Sequence, residues 1–146
     1  MALGALARGE GGGFGVPSRK RAQTLPSELN KAATGEVWFD PIFPKTDGVD
    51  VGTVVFSPNG RTVWHQHEHG QLLQITSGYG FVCKEGEVPQ RVRAGDTVWI
   101  APNERHWHGA TSNTLMSHTT TTIGATEFHG AVTEAEYAAA NTTPRA

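Results

Sequence analysis

The run Thr62-Val63-Trp64-His65-Gln66-His67-Glu68-His69-Gly70-Gln71 sets histidine at every second position. In an extended strand, positions i and i+2 lie on one face about 6.6 Å apart, so the rings of His65 and His67 can lean toward a common point. Gly70 lets the chain bend before Gln71, whose amide oxygen can close on the same point as a neutral donor. His69 shares the parity of the pair, but the adjoining glycine bend moves it toward the mouth of any cavity the pair lines.

A second histidine pair follows a proline turn, in Ala101-Pro102-Asn103-Glu104-Arg105-His106-Trp107-His108-Gly109. One of its imidazoles can complete a facial set with His65 and His67, leaving the other unligated nearby. Of the seven histidines, only His129 lies outside residues 65–118. An interior that desolvated this many imidazoles without acidic partners would be costly, and metal binding resolves that cost.

Outward from these segments, short β-branched and aromatic runs alternate with turn residues about every ten positions. Strands are expected near 37–39, 49–56, 61–67, 70–76, 79–84, 90–92, 97–100, 106–110 and 114–123. Asp47-Gly48, Ser57-Pro58-Asn59-Gly60, Ser77-Gly78, Glu85-Gly86 and Ala94-Gly95 supply the reversals between them. The pattern is all-β, an antiparallel sandwich or barrel, consistent with a chain carrying 18 glycines and 8 prolines. Only the end reads helical, where Thr133 and Glu136 form a capping box ahead of Tyr137-Ala138-Ala139-Ala140. Trp64, Trp99 and Trp107 are expected to pack the barrel, and Cys83 to be a small buried side chain.

With 146 residues the chain holds one ordinary domain, assigned to residues 25–146. Residues 1–24, rich in glycine and containing Arg19-Lys20-Arg21, read as a disordered tail that cannot bury enough to order itself. Twelve Lys and Arg against 14 Asp and Glu leave a net charge of −2, so no basic excess exists for a nucleic-acid partner. Apolar runs such as Val54-Val55-Phe56 fall far short of the roughly 20 residues of a membrane span. One cysteine excludes an internal disulfide and a thiolate zinc cluster, and a cytoplasmic protein is expected.

Gly60, His65, His67, Gln71 and Gly78 resemble the first motif of the cupin family, and Gly95, Pro102 and His106 resemble the second. The resemblance implies a cupin β-barrel (double-stranded β-helix, or jelly roll) with a short C-terminal helix. Within the family, Arg61-Thr62-Val63-Trp64-His65-x-His67, Gly70-Gln71 and His106-Trp107-His108-Gly109 are similar to small bacterial cupins with (R)-selective hydroxynitrile lyase activity. That similarity implies His65, His67, Gln71 and His106 as ligands of a divalent metal, manganese or iron. It also implies His108 as general base and Thr62 as a substrate-side catalytic residue. His118 and Thr122 are expected in the substrate pocket, Thr122 standing where the group has glutamine. Gln71 in place of the commoner glutamate leaves more positive charge on the metal and makes it a stronger Lewis acid. The implied reaction cleaves a cyanohydrin to aldehyde and cyanide. An oxygen-dependent dioxygenase acting on a small diketone or phenol, and a non-catalytic metal- or ligand-binding cupin, are the alternatives. A small-molecule substrate and a homo-oligomer complete the expectation.

Overall fold

Period-two alternation governs which side chains enter the interior. Residues 23–24 and 32–144 are described by the computed structural model; the remainder of the expected N-terminal tail lies outside the described residues. The strands in chain order are β1 (Gln23–Thr24), β2 (Ala33–Thr34), β3 (Val37–Thr46), β4 (Val49–Phe56), β5 (Arg61–Thr62) and β6 (His65–His67). They continue as β7 (Gln71–Lys84), β8 (Gln90–Arg93), β9 (Thr97–Ile100), β10 (His106–Ala110), β11 (Met116–Ile123) and β12 (Thr126–Phe128), followed by helix α1 (Glu134–Asn141).

All strand pairs are antiparallel. One sheet runs β1-β3-β4-β11-β7-β9; the other holds β2, β5, β10, β7 and β8, with β6 bridging β10 and β12. The long β7 belongs to both, pairing β11 and β9 through its first half and β10 and β8 through its second. Among the described residues the result is a nearly closed, mostly β barrel with one short α-helix. Ser77-Gly78, expected to reverse the chain, lies inside β7 instead; the strand passes from one sheet to the other there, and the facing register of β11 shifts between Ser117 and His118. β1, β2 and β12, too short to show a period, were not expected.

Between the sheets, Phe56, Leu73, Ile75, Ile100 and Met116 form one apolar cluster. A second cluster joins Phe81, Cys83 and Trp107 to Val132, Tyr137 and Ala140 under α1. Each fully buried large side chain contributes about 1.5–3 kcal/mol. On β10 the alternation sends His106 and His108 inward and Trp107 outward beneath the helix. Trp99 departs from the expected packing role, being 53% exposed on β9. Gly52 on β4 has no Cβ, and one placed there would strike the ring of Phe39, which lies over it.

The helix begins as its sequence predicts. Glu136 backbone N–H donates to the Thr133 hydroxyl at 3.1 Å, and Thr133 N–H donates to the Glu136 carboxylate at 2.8 Å. Buried Arg61 ties the helix to β5. Its guanidinium donates to Glu134 at 2.7 Å and sits 4.2 Å from the centroid of the Tyr137 ring, while the Tyr137 hydroxyl donates to the Ala110 carbonyl at 2.7 Å. Because Glu134 is 85% exposed, the packing of Arg61 matters more than its charge partner. Arg61→Ala is therefore expected to lower the unfolding free energy by about 2–3 kcal/mol in urea titration, and Glu134→Gln by less than about 1 kcal/mol.

Candidate metal centre

A cavity of about 270 Å³ is lined by His65, His67, Gln71 and His108 on its polar side and by Val37, Val54, Phe39 and Phe128 on its apolar side; His106 packs against His65 without lining it. His65, His67, His106 and His108 are each at most 4% exposed, and Gln71 is equally buried. Ring centroids of His65 and His106 are 4.2 Å apart, those of His65 and His67 5.0 Å, and those of His67 and His106 5.3 Å.

Local structure dictates how each ring points. His65 Nδ1 donates to the Val63 carbonyl at 2.8 Å, and His106 Nδ1 donates to the Glu104 carbonyl at 2.8 Å. A carbonyl only accepts, so the neutral rings must carry their proton on Nδ1 and present a bare Nε2. His67 Nδ1 lies 2.9 Å from the Thr126 hydroxyl of the facing strand β12, and its buried Nε2 makes no well-formed hydrogen bond among the described residues. Gln71 Nε2 donates to the Thr122 hydroxyl at 2.9 Å, and its buried Oε1 likewise makes no well-formed hydrogen bond among the described residues. Gly70, at φ +95°, makes the bend that brings Gln71 to the cavity; a Cβ there would strike the Trp99 ring and the Ile100 carbonyl.

The ligating atoms of His65, His106 and His108 also lie within 4.8 Å of one another. His108 thus stands among the expected ligands rather than apart from them. Its Nδ1 lies 3.0 Å from Nε2 of His118, and its own Nε2 is buried and unpartnered among the described residues. His118, expected to line the pocket, is fully buried behind His108. Thr62 does line the cavity, and its hydroxyl accepts the His108 backbone N–H at 3.1 Å. Thr122 lines it too, while holding the Gln71 amide. His69 is exposed, beside Glu68. The anchoring roles of Val63, Glu104 and Thr126 were missed in the sequence, where a backbone carbonyl or a residue 59 positions away carries no signal.

Burial dominates the electrostatics. It pushes the His67 ring down to about 4 and the His118 ring to about 3, and holds His65 and His108 well below the ordinary histidine range; neighbouring imidazoles add to the effect on His65, His67 and His108. His106 is lowered by burial too, against its bond to the Glu104 carbonyl. All five are neutral near pH 7, the state in which an imidazole can bind a cation. Three imidazoles and an amide oxygen form a donor set compatible with a divalent metal. A larger open groove of about 450 Å³ beside Tyr79, Arg91 and Asn113 has no comparable group of buried, unpartnered donors.

Comparison with known proteins agrees with this geometry. A family model for the cupin domain matches residues 52–121. An (R)-mandelonitrile lyase from Granulicella tundricola is 44% identical over 87 residues, which span 58% of this chain and 66% of that protein. The crystal structure of a cupin-like protein from Thermotoga maritima superposes with a TM-score of 0.77 at 33% identity, covering 88% of this chain and 98% of the other. A predicted oxalate decarboxylase from the same organism shares the fold at TM-score 0.62 and 19% identity, over 71% of this chain and 92% of its own.

The neutral imidazoles also predict how the metal-stripped protein responds to acid. Unfolding restores the His67 ring from about 4 to the ordinary 6.5, so between these values the unfolded chain binds more protons. Stability from this ring is complete above about pH 6.5 and is lost as pH falls toward 4. About 2.5 pH units at about 1.4 kcal/mol each amount to roughly 3 kcal/mol. Urea titrations in chelator at pH 7 and pH 5 should show a clear loss at the lower pH; equal midpoints would contradict buried neutral imidazoles.

Proposed function

We propose that this chain, which belongs to the cupin family, is a metal-dependent lyase that cleaves cyanohydrins to an aldehyde and hydrogen cyanide. The observation that carries the reading is the set of inward-facing donors His65, His67, His106 and Gln71, each oriented by a hydrogen bond at its other end. The partial likeness to a mandelonitrile lyase supports the choice of reaction. These four residues would hold a divalent cation, manganese or iron. When bound, the cation supplies Lewis acidity, undiminished by any carboxylate ligand.

His108 is the base in this reading. When its Nδ1–H donates to His118, Nε2 is left as a bare lone pair able to accept a proton. It takes the hydroxyl proton of the cyanohydrin as the oxygen lone pair forms the carbonyl, and the carbon–carbon bonding pair departs with cyanide. The proton on His108 then passes to cyanide, so the products are aldehyde and hydrogen cyanide and the base is regenerated. His118 positions the ring and accepts from it while the imidazolium exists. Thr62, its oxygen already engaged by the His108 N–H, keeps its own O–H free to donate to the substrate oxygen. Phe39, Val54 and Phe128 offer an apolar wall to the organic part of the substrate. Self-association is part of the same reading, supported by Trp38, Ile42 and Phe43, each about 40% exposed along β3; a cytoplasmic setting fits the single free thiol of Cys83.

Metal analysis of the purified protein, with parallel assays of cyanide release from mandelonitrile and of oxygen uptake, tests the reading. The expected outcome is cyanide and benzaldehyde released without oxygen, and loss of both metal and activity in His65→Ala. His108→Ala should keep its metal while kcat falls about 10²–10⁴-fold. Oxygen uptake without cyanide release overturns the lyase in favour of a dioxygenase, and metal loss in His108→Ala moves that residue into the ligand set. Light scattering should give a mass of at least two chains.

A further inference from the structure

One charged side chain faces the same cavity and takes no part in the chemistry described so far. Strand register puts Gln71, Thr122 and Asp50 in one row: Thr122 of β11 stands directly opposite Gln71 of β7 on one side and Asp50 of β4 on the other. All three line the cavity. With neighbouring strands about 4.8 Å apart, the Cα of Asp50 is about 10 Å from that of Gln71 along the inner wall. One end of the row therefore belongs to the metal centre and the other is a carboxyl group. The cavity they share, about 270 Å³, has room for a small ring compound.

Asp50 is the one acidic residue among the described residues lining the cavity. The others are apolar, hydroxyl, amide or imidazole groups. Among the described residues its carboxylate has no hydrogen-bond or ion-pair partner. Lys45 acts on it only through space, because the Lys45 ammonium donates to the Gly124 carbonyl at 2.8 Å. Partial burial raises the Asp50 pKa and Lys45 opposes the rise. A cavity-lining carboxylate that is still partly hydrated and unpaired among the described residues is free to accept a hydrogen bond from a donor arriving with a ligand. Phe39 and Val54, on the strands nearest Asp50, flank the space between with apolar surface.

We propose that Asp50 is a specificity-determining residue, accepting a hydrogen bond from a hydroxyl or ammonium group at the end of the substrate remote from the reacting carbon. The cavity then selects small ring compounds that carry such a donor over plain hydrocarbon analogues. This inference rests on the cavity being the substrate site of the proposed enzyme, and not on which bond is broken there.

Calorimetric titration of the metal-loaded full chain with three unreactive probes tests it: benzyl alcohol, 4-hydroxybenzyl alcohol and 4-(aminomethyl)benzyl alcohol. The two probes with a distal donor should bind about tenfold or more tightly than benzyl alcohol, equivalent to about 1.4 kcal/mol. Asp50→Ala should bring the ratio close to one. Asp50→Asn, which keeps an acceptor but no charge, should lose the preference for the ammonium probe and retain part of that for the phenol. Equal affinities in the wild type, a preference that survives Asp50→Ala, or no binding by any probe overturns the proposal. If the preference holds while mandelonitrile yields no cyanide, the lyase reading falls alone.

Discussion

A buried neutral imidazole has one proton to give and one lone pair to place, and in this cavity the backbone decides which end does which. The Val63 and Glu104 carbonyls each sit two residues before the histidine they hold, so the same short segment of chain supplies both the ring and its anchor. Once Nδ1 is committed, Nε2 can only face the interior. The arrangement is costly without a cation, since several lone pairs are withdrawn from water with nothing to receive. The two apolar clusters and the helix strapped over β10 offset that cost, and in this sense the barrel exists to hold unsatisfied nitrogen atoms in place.

The strands transmit this constraint by parity. On β10 the inward His106 and His108 are separated by Trp107, 1% exposed and covered by α1. Rotating the strand to improve the packing of Trp107 would misplace both histidines, so the aromatic anchor and the candidate ligands are fixed together. The same logic links Gln71 to Thr122, where a hydroxyl on one strand sets the direction of an amide on the next. Thr122 thus orients the Gln71 amide as well as lining the cavity.

Much of this was legible before the structure, because the information was local. His65 and His67 show their shared face through spacing alone, and Thr133 with Glu136 announces the helix start three residues apart. What the sequence hid lies across strands. Asp50 and Thr122 are 72 positions apart in the chain and become neighbours only through the β4–β11 register. The burial of His118 behind His108, instead of beside the substrate, depends on the same kind of pairing. The Ser77-Gly78 pair carried a genuine turn signal, yet the chain uses it to pass between sheets, because β7 finds partners on both sides of that point. Trp99 reads as a core residue by type, and its exposure follows from its place on the outward parity of β9.

The missing side chain at Gly52 has a bearing on the chamber's size that polarity does not capture. Phe39 lies over this position so closely that even one methyl group would displace the ring, and Asp40 O, 3.3 Å from the same point, limits retreat on the backbone side. The ring would move toward open space, which is the chamber itself. A single added carbon on the wall would thus be amplified into the swing of a whole benzyl group, narrowing the chamber without altering any of the buried imidazoles. Room for bulk and the buried donor set are consequently separable in this scaffold, and one can drift while the other stands still.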